Sequence, residues 1–385
     1  MGVQRHSLGV LGRAESVVLL RQHRPTLSDG EADALAAELG DLPLALHLAG
    51  RFLAGPGKNL AVERYLAELR SPRIFERLPL REQDGQLPTG HNRDVARSFA
   101  LSYERLDPQS TDDVVALRLL ARAAHLAPGE VVPAELLAAT LEADADDLDA
   151  QLAAETALDR LVGLGRIERE GAAGLRMHRL IGVYVRQVSG DEAAQAAVER
   201  VVLTVAKQLI DAPTLESSVA LLPMLRGVTD AALTREDAEA ASLCSWLGRH
   251  LDRVGAYALA QPYLDRALAL RERGLGPQHP QTAISLNNLA ELYRAQGNYA
   301  AARPLYDRAL ALRERGLGPE HPQTAASLNN LAMNCFYQGD LSAAEQLMAR
   351  ALQICIARLG DGHPTTQTIQ QSLTVVRQRL AGEVS

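Results

Sequence analysis

A segment that occurs twice in nearly identical form restricts the fold of this chain more than any other feature. Pro262–Thr282 reads PYLDRALALRERGLGPQHPQT and Pro304–Thr324 reads PLYDRALALRERGLGPEHPQT, an offset of 42 residues. The same offset relates three glycines and three His-Pro pairs, namely Gly255, Gly297 and Gly339, and His279-Pro280, His321-Pro322 and His363-Pro364. A fixed period of this length indicates stacked repeats, because one repeat alone cannot bury its apolar face.

Each repeat contains two helical patterns separated by a turn. Over Gln281–Ala295 the apolar residues recur at i, i+3, i+4 and i+7, which predicts one buried stripe on a helix. Gly297 follows and favours the left-handed backbone that ends helices. A second stripe begins at Tyr299, and Gly318-Pro319 ends that helix. The residues of the two stripes are Leu286, Leu289, Ala290 and Tyr293, then Tyr299, Ala302, Leu305, Tyr306 and Ala309.

This arrangement resembles the tetratricopeptide repeat. Counted from Ala283, the large-small pair of that pattern is Leu289-Ala290, its aromatic is Tyr293 and its turn glycine is Gly297. The usual repeat has about 34 residues. The longer period here, with LNNLA and LGPxHP, resembles the kinesin light chain subtype. The resemblance implies a mainly α fold that ends in an α-solenoid.

Three repeats and a closing helix are predicted within residues 237–382. The repeats begin near Ala241, Ala283 and Ala325. Over Thr366–Leu380 only a first helix is matched. There, polar residues replace apolar ones, as expected of a solvent-facing cap. These polar residues are Gln370, Thr374 and Arg377.

Composition and charge narrow the functional classes. Apolar residues make up 47% of the 385 residues and aromatic residues only 4%, which favours a helical interior of alanine and leucine. The net charge of −7 argues against nucleic acid or an anionic membrane as a partner of the whole chain. No apolar run reaches the roughly 20 residues that span a membrane, and the first residues lack a signal-peptide core. The chain is predicted to be soluble and cytoplasmic.

Residues 1–75 are predicted to form a helical domain. Ser28 to Glu31 reads as a helix cap before EADALAAELG, and Leu42-Pro43-Leu44-Ala45-Leu46 leads into an apolar helix. This order of segments resembles the helical part of an NB-ARC module, found in signal-transducing ATPases. In that family the proline of the motif lies near the nucleotide base, a role that the resemblance assigns to Pro43. The alternative is an ordinary helix start at Pro43.

Residues 71–92 are rich in Pro, Gly and charge and are predicted to form a linker or exposed loop. Residues 90–189 follow with three helical patterns and two short apolar segments around a glycine turn, the outline of a winged helix. Residues 190–236 are predicted to be a helical adapter or a degenerate repeat. The winged-helix pattern resembles the domain that follows the helical part of NB-ARC proteins.

Met177-His178 lies where that family has its Met-His-Asp motif, whose histidine approaches the β-phosphate of ADP. Arg179 replaces the aspartate, so the usual role of that carboxylate is lost. A winged helix also suggests a transcription regulator, since this fold often binds DNA. The predicted third helix, however, carries acidic residues beside its arginines, which argues against that function. These residues are Glu155 and Asp159 beside Arg160 and Arg166.

No catalytic constellation is found in the sequence. The Gly57-Lys58 pair is followed by Asn59, and Phe52 stands where a P-loop needs its first glycine, so this is a loop and not a P-loop. ADP or ATP is therefore expected only with a P-loop domain that this sequence lacks. The remaining candidates are interpreted as structural. The repeated histidines at 279, 321 and 363 are interpreted as turn residues. Cys244 and Cys335 are interpreted as small core residues of the repeats, and the third cysteine is Cys355.

The functional surface is predicted to be the concave groove lined by the first helix of each repeat, which suits a peptide or a partner helix. Asparagine is unfavourable inside a helix, so the repeated Asn pair suggests hydrogen bonds to a ligand or, alternatively, ties between repeats. Trp246 is either a binding hot spot or a packing residue. The candidate groove residues are Trp246, Arg249, Asn287, Asn288, Glu291, Arg294, Asn329, Asn330 and Tyr337, with Ser245, Arg253 and Met333 at further facing positions.

The sequence thus predicts a non-enzymatic regulatory or scaffold protein that binds a protein or peptide partner, with self-association as a further possibility. Two alternatives stay open. The chain is part of an ADP- and ATP-controlled switch whose ATPase half is missing from this sequence, with Pro43 and His178 as its nucleotide sensors. The other alternative is a winged-helix transcription regulator.

Overall fold

The computed structural model describes residues 11–55, 57–70, 103, 106–142, 147–171, 173–210 and 215–383. Contacts between residues divide the chain into an N-terminal unit, Met1–Val201, and a C-terminal unit, Val202–Ser385. The linker predicted over 71–92, the first ten residues and the start of the helical pattern after residue 92 lie outside the described residues. The four predicted domains stay a prediction.

The N-terminal unit begins with four helices. They are α1 (Arg13–His23), α2 (Asp29–Glu38), α3 (Pro43–Ala54) and α4 (Val62–Arg70). The predicted cap is present: Ser28 N–H donates to Glu31 Oε2 at 2.8 Å, and Glu31 N–H donates to Ser28 Oγ at 3.3 Å. Pro43 is the first residue of α3, where its missing N–H costs no hydrogen bond. The starts of α2 and α3 therefore agree with the local signals in the sequence.

A second group of helices and a small sheet complete this unit. In order they are α5 (Thr111–His125), β1 (Val131–Pro133), α6 (Ala134–Ala139), α7 (Leu148–Gly163), β2 (Glu168–Glu170), β3 (Gly174–Arg176) and α8 (Arg179–Val188). The strands form an antiparallel sheet in the order β1-β3-β2, with Val132 opposite Leu175 and Arg169 opposite Leu175. Helices α7 and α8 both pack against α5.

Two of these elements were not predicted. β1 has only three residues and is formed through pairing with β3, a non-local interaction without a pattern of its own. Helix α8 contains Val183, Val185 and Val188, and β-branched residues favour strands by propensity. Tertiary packing makes this segment helical, because Ile181, Gly182 and Val185 are buried on one face of the helix.

The C-terminal unit is entirely helical over its described residues. Helix α9 (Ala194–Ile210) runs across the division between the units, and α10 (Leu215–Ala232) follows. Three helix pairs come next, and we call the members of each pair the first and second helix of a repeat. The first helices are α11 (Ala238–Arg253), α13 (Thr282–Ala295) and α15 (Pro322–Gln338), the second helices are α12 (Tyr257–Leu275), α14 (Tyr299–Leu317) and α16 (Leu341–Leu359), and α17 (Pro364–Glu383) closes the stack.

Small residues let the helices of the stack approach closely, and larger ones fill the space beside them. Ala290, Ala302, Tyr306, Leu331 and their neighbours form a buried cluster that joins the second repeat to the third. In α17, Ile369, Leu373 and Val376 are buried, while the predicted cap residues are exposed. The three cysteines are buried and free of disulfides, as expected of core residues. Within the described residues, no helix is long and apolar enough to cross a bilayer.

An arginine ties each of the first two repeats to the helix that follows it, and it is half-buried in the first repeat and buried in the second. Arg271 donates to Ser285 Oγ at 2.7 Å, and Arg313 donates to Ser327 Oγ at 2.8 Å, one period further on. The third repeat has Cys355 and Ile369 at the corresponding positions, and both are buried in one apolar cluster. We call this contact, between the second helix of a repeat and the helix that follows it, a joint. The joint is a hydrogen bond after the first two repeats and an apolar contact after the third.

Candidate partner-binding groove

The first helices of the repeats line the inner side of the stack. Consecutive first helices contact each other, α11 with α13 and α13 with α15, whereas consecutive second helices contact each other less. In a curved stack, helices on the inner side are closer together than those on the outer side. The first helices are therefore the inner helices of the stack, and the facing positions named from the sequence stay a prediction.

In the first repeat, Trp246 and Arg249 are half-buried, and the Arg249 guanidinium lies 4.7 Å from the centre of the Trp246 ring. Cation–π contact of this kind holds the arginine in place. Arg253, also predicted to face the groove, donates to the Leu209 and Ile210 carbonyls at the end of α9. Arg253 thus holds the C-terminal end of α9.

The asparagines join neighbouring first helices. Asn288 donates to Ser245 Oγ on α11 at 2.9 Å, and Asn330 donates to Glu291 Oε1 on α13 at 3.0 Å. Asn287 is buried and donates to Ser327 Oγ at 3.3 Å. These contacts favour the interpretation that Asn ties repeats together, and contact between these amides and a ligand stays a prediction.

Aromatic rings gather at the third repeat. Tyr337, 47% exposed, stacks on Tyr299 with ring centres 5.7 Å apart, and Phe336 contacts its edge. Arg294 lies 5.7 Å from the Tyr337 ring and Arg379 lies 5.2 Å from the Phe336 ring. This aromatic patch offers apolar area for a ligand side chain. Asn329, nearby in sequence, is half-buried, and its side-chain oxygen is a buried atom without a hydrogen-bond partner.

Asp252 was not predicted as a groove residue, although it occupies the same position of its repeat as Arg294 and Phe336. Burial, reinforced by the negative charge of Glu291, raises the pKa of Asp252 to about 6, while Arg294 and Arg249 act in the opposite direction. Glu291 and Arg294 belong to the next first helix, so these groups meet across the groove side of two repeats. The period of 42 residues was the signal that could have identified Asp252.

In the N-terminal unit, the two residues assigned by resemblance have local structural roles. Pro43 begins α3, and His178 caps α8 by accepting the Leu180 N–H on Nδ1 at 3.2 Å. His47, one helical turn after Pro43, lies 3.7 Å from the Glu168 carboxylate, and the charge of Glu168 also acts on His178. The start of α3 and the turn before α8 are therefore both near Glu168.

The Gly57-Lys58 pair, predicted to be a loop, lies in a turn after α3. Gly57 N–H donates to Phe52 O at 2.8 Å and Lys58 N–H to Gly55 O at 3.1 Å, so these amides are not available to a phosphate. A Cβ at position 57 would also lie only 2.5 Å from the Phe52 ring. These residues do not fit the phosphate site of a nucleotide.

Of the two arginines of the predicted DNA-contacting helix, Arg160 is 46% exposed and is paired with the buried Asp113. Arg166 is 1% exposed, and burial lowers its pKa to about 9. Contact with DNA phosphates requires exposed cations. The described structure therefore gives no support to a DNA-binding function of this helix.

The fold and the groove define a helical-repeat protein. A family model described as tetratricopeptide repeat matches residues 238–315 and 284–357. The chain therefore contains tetratricopeptide repeats, as the sequence predicted, in a mainly helical fold. No curated protein sequence matches the chain.

Several solved structures are similar to parts of the chain. A putative kinesin light chain with nearly identical TPR-like repeats from Podosopora anserina has 22% identity and a TM-score of 0.42, covering 48% of this chain and 86% of its own. BtubC from P. vanneervenii has 20% identity and a TM-score of 0.41, covering 50% and 76%. A signal transduction ATPase with numerous domains and a tetratricopeptide repeat sensor from Pyrococcus horikoshii has 14% identity and a TM-score of 0.32, covering 96% and 57%.

Proposed function

We propose that this chain is a non-enzymatic regulatory or scaffold protein that binds a protein or peptide partner in the groove of its tetratricopeptide repeats. The observation that carries the proposal is a contrast within the stack. Most residues that hold one repeat to the next recur in successive repeats, whereas at two of the three groove positions compared all three repeats carry different residues.

The constant residues lie on the second helices and the turns that follow. Glu272 pairs with Arg308 at 2.7 Å, and Glu314 pairs with Arg350 at 2.7 Å, one period later. Thr282 and Thr324 donate to glycine carbonyls at 3.0 and 2.8 Å. The three repeated histidines each accept the backbone N–H two residues ahead, at 3.1 or 3.2 Å. Stacking therefore accounts for the near-identity of the repeated segments.

The variable residues lie on the groove side of the first helices. Successive repeats carry Trp246, Asn288 and Asn330 at one position, Arg249, Glu291 and Met333 at a second, and Asp252, Arg294 and Phe336 at a third. Stacking does not require this variety, because the same backbone geometry recurs in each repeat. A surface that differs along its length supports recognition of a particular partner in one orientation.

This proposal predicts that groove substitutions release the partner. Trp246→Ala combined with Arg249→Ala removes a half-buried aromatic and the cation on its face, a combination enriched in binding hot spots. We expect at least about a tenfold loss in the amount of partner that the tagged full chain retains from cells of its source, a loss equivalent to about 1.4 kcal/mol.

The matched control is Arg273→Ala combined with Leu275→Ala, which alters two exposed residues at the end of a second helix. Circular dichroism establishes that both variants are folded. Equal retention of the partner by the groove variant and the wild type would place the binding surface elsewhere.

A nucleotide-controlled switch of the NB-ARC type is the second candidate function, with residues 1–75 and 90–189 as its helical and winged-helix parts. One observation favours it: His47, one turn after Pro43, and His178 are both near Glu168, so α3 and the turn before α8 lie close together. The Gly57-Lys58 turn does not fit a phosphate, so no nucleotide chemistry is assigned to this chain.

We accordingly expect 1 mM ADP with Mg²⁺ to leave the thermal unfolding midpoint of this chain unchanged. A ligand present at 100 times its dissociation constant stabilises a protein by about 2.7 kcal/mol, which a thermal scan detects readily. A clear stabilisation at micromolar ADP would contradict this expectation and favour the switch.

A further inference from the structure

Two histidine rings meet where α1 packs against α3. The rings of His23 and His47 lie edge to face, with their centres 4.8 Å apart. His23 also lies against the backbone of Gly50, where an added Cβ would be only 2.7 Å from His23 Cδ2. In both rings Nε2 is a buried atom without a hydrogen bond in the described structure. The contact between α1 and α3 is therefore built around two imidazoles that lack a hydrogen bond at this nitrogen.

The surroundings of His23 favour a neutral ring. A charged imidazole carries a proton on both nitrogens and needs an acceptor for each, and a buried donor without an acceptor is unfavourable. Burial lowers the pKa of His23, and His47 and Arg51, both from α3, act in the same direction. A positive charge on His23 is thus opposed both by the lack of an acceptor and by a neighbouring cation.

His47 differs from His23 because a carboxylate is close to it. His47 Nε2 lies 3.7 Å from Glu168 Oε1, which is within ion-pair distance. Burial lowers the pKa of His47 and Glu168 acts against this effect, while Arg51 adds to it. No carboxylate is among the groups that act on His23 in the described structure. A proton on His47 can therefore be balanced by Glu168, whereas a proton on His23 has no counter-charge.

The other charged side chains in and next to α1 are engaged elsewhere, so they do not provide this counter-charge. They are Arg13 with Asp33 and Asp41, Glu15 with the Gly12 N–H, Arg21 with Asp29, and Arg24 with the carbonyls of Lys58 and Leu60. Asp29 and Asp33 belong to α2, the other helix that packs against α1.

We propose that His23 is a pH sensor of the N-terminal unit, whose protonation releases α1 from α3 and opens the unit locally. This inference concerns the N-terminal unit and does not depend on the groove. The packed state holds His23 neutral, whereas an exposed histidine has a pKa of about 6.5. The packing is therefore stable above about pH 6.5 and weakens as the pH falls below that value. One such group raises the open fraction by up to about tenfold at pH 5.5.

Hydrogen–deuterium exchange of the full chain, followed by mass spectrometry, measures this opening. The peptide that covers α1 is compared at pH 7.5 and 5.5. Each rate is divided by that of an unstructured chain at the same pH, because the exchange chemistry itself depends on pH. We expect α1 to exchange about tenfold faster at pH 5.5 on this scale. His23→Phe keeps a ring against Gly50 but cannot gain a proton, so its exchange should change less than about twofold.

His125→Phe is the matched control, because it makes the same change at another half-buried histidine of this unit, on α5. It should retain the full pH response of α1. Gly50→Ala tests the contact from α3, since its Cβ would displace the His23 ring. In this variant α1 should exchange at least about fivefold faster than in the wild type at pH 7.5. Its further increase at pH 5.5 should be smaller than that of the wild type.

Three results would overturn the proposal. The first is equal exchange of wild-type α1 at the two pH values on the corrected scale. The second is a pH response of His23→Phe as large as that of the wild type, because another group would then be the sensor. The third is wild-type exchange and a wild-type pH response in Gly50→Ala, which decides the question even if His23→Phe fails to fold. Partner retention by the groove is tested separately and is unaffected by these results.

Discussion

Replacing Tyr306 by alanine is expected to lower the free energy of unfolding of the repeat stack by about 3–5 kcal/mol, the usual range for a large buried aromatic. Tyr306 is fully buried and packs with Ala290, Ala302, Leu331 and Ala332 where the second repeat meets the third. These neighbours are small or already close-packed, so they cannot collapse into the cavity that the ring leaves. The loss therefore includes both transfer energy and the cavity itself.

Urea unfolding followed by tryptophan fluorescence measures this effect. Trp246 is the only tryptophan of the chain and lies in the first repeat, so its emission reports the C-terminal unit. Tyr337→Ala is the control, since that ring is 47% exposed and should cost only about 1 kcal/mol through lost ring contact. Equal losses for the two variants would show that the junction of these repeats is not the tightly packed core described here.

The second large effect is expected at the buried arginine of the second repeat. Arg313→Cys removes the donor to Ser327 Oγ and to the Gln323 carbonyl and should cost about 2–3 kcal/mol, because two hydrogen bonds from a buried charged group are lost and Ser327 Oγ keeps only its longer bond from Asn287. Adding Ser327→Ile copies the apolar joint that Cys355 and Ile369 already form one period later. The double variant should recover at least about 1 kcal/mol of that loss, since apolar residues often replace a buried charge at no loss, although Asn287 then loses its bond to Ser327 Oγ.

The same fluorescence measurement applies to this pair. Arg315→Cys is the control, because Arg315 is exposed and its removal should change stability by less than about 0.5 kcal/mol. If the double variant is less stable than Arg313→Cys alone, the apolar joint does not replace the hydrogen-bonded one. If Arg313→Cys alone leaves the free energy of unfolding unchanged, the arginine does not stabilise the stack.

Much of the C-terminal unit follows from short-range patterns. The helix predicted over Gln281–Ala295 is observed at Thr282–Ala295, and the glycine turn after it recurs with φ values of 78, 76 and 86° at Gly255, Gly297 and Gly339. Periodicity of 3.6 residues and a glycine with positive φ are both local properties, so a single sequence contains them. The tetratricopeptide assignment was confirmed on that basis.

The groove was harder to predict because its residues interact across repeats. Asn288 and Asn330 were identified as groove residues, but their bonds to Ser245 and Glu291 span about one period and leave no mark in a local pattern. Asp252 was missed because an aspartate near a helix end usually faces solvent. Its burial depends on the next first helix. Side-chain pairing between repeats, unlike helix formation, is a tertiary property.

The most direct measurement of the central claim is photo-cross-linking from a single position. p-Benzoylphenylalanine in place of Tyr337 puts the reactive group on the groove side of the third repeat, where the native ring is exposed. The same group in place of Leu317, at the end of a second helix, is the reference position. We predict that the full chain cross-links its partner in cells from position 337 and not from position 317. Efficient cross-linking from position 317 with none from position 337 would contradict binding in the groove.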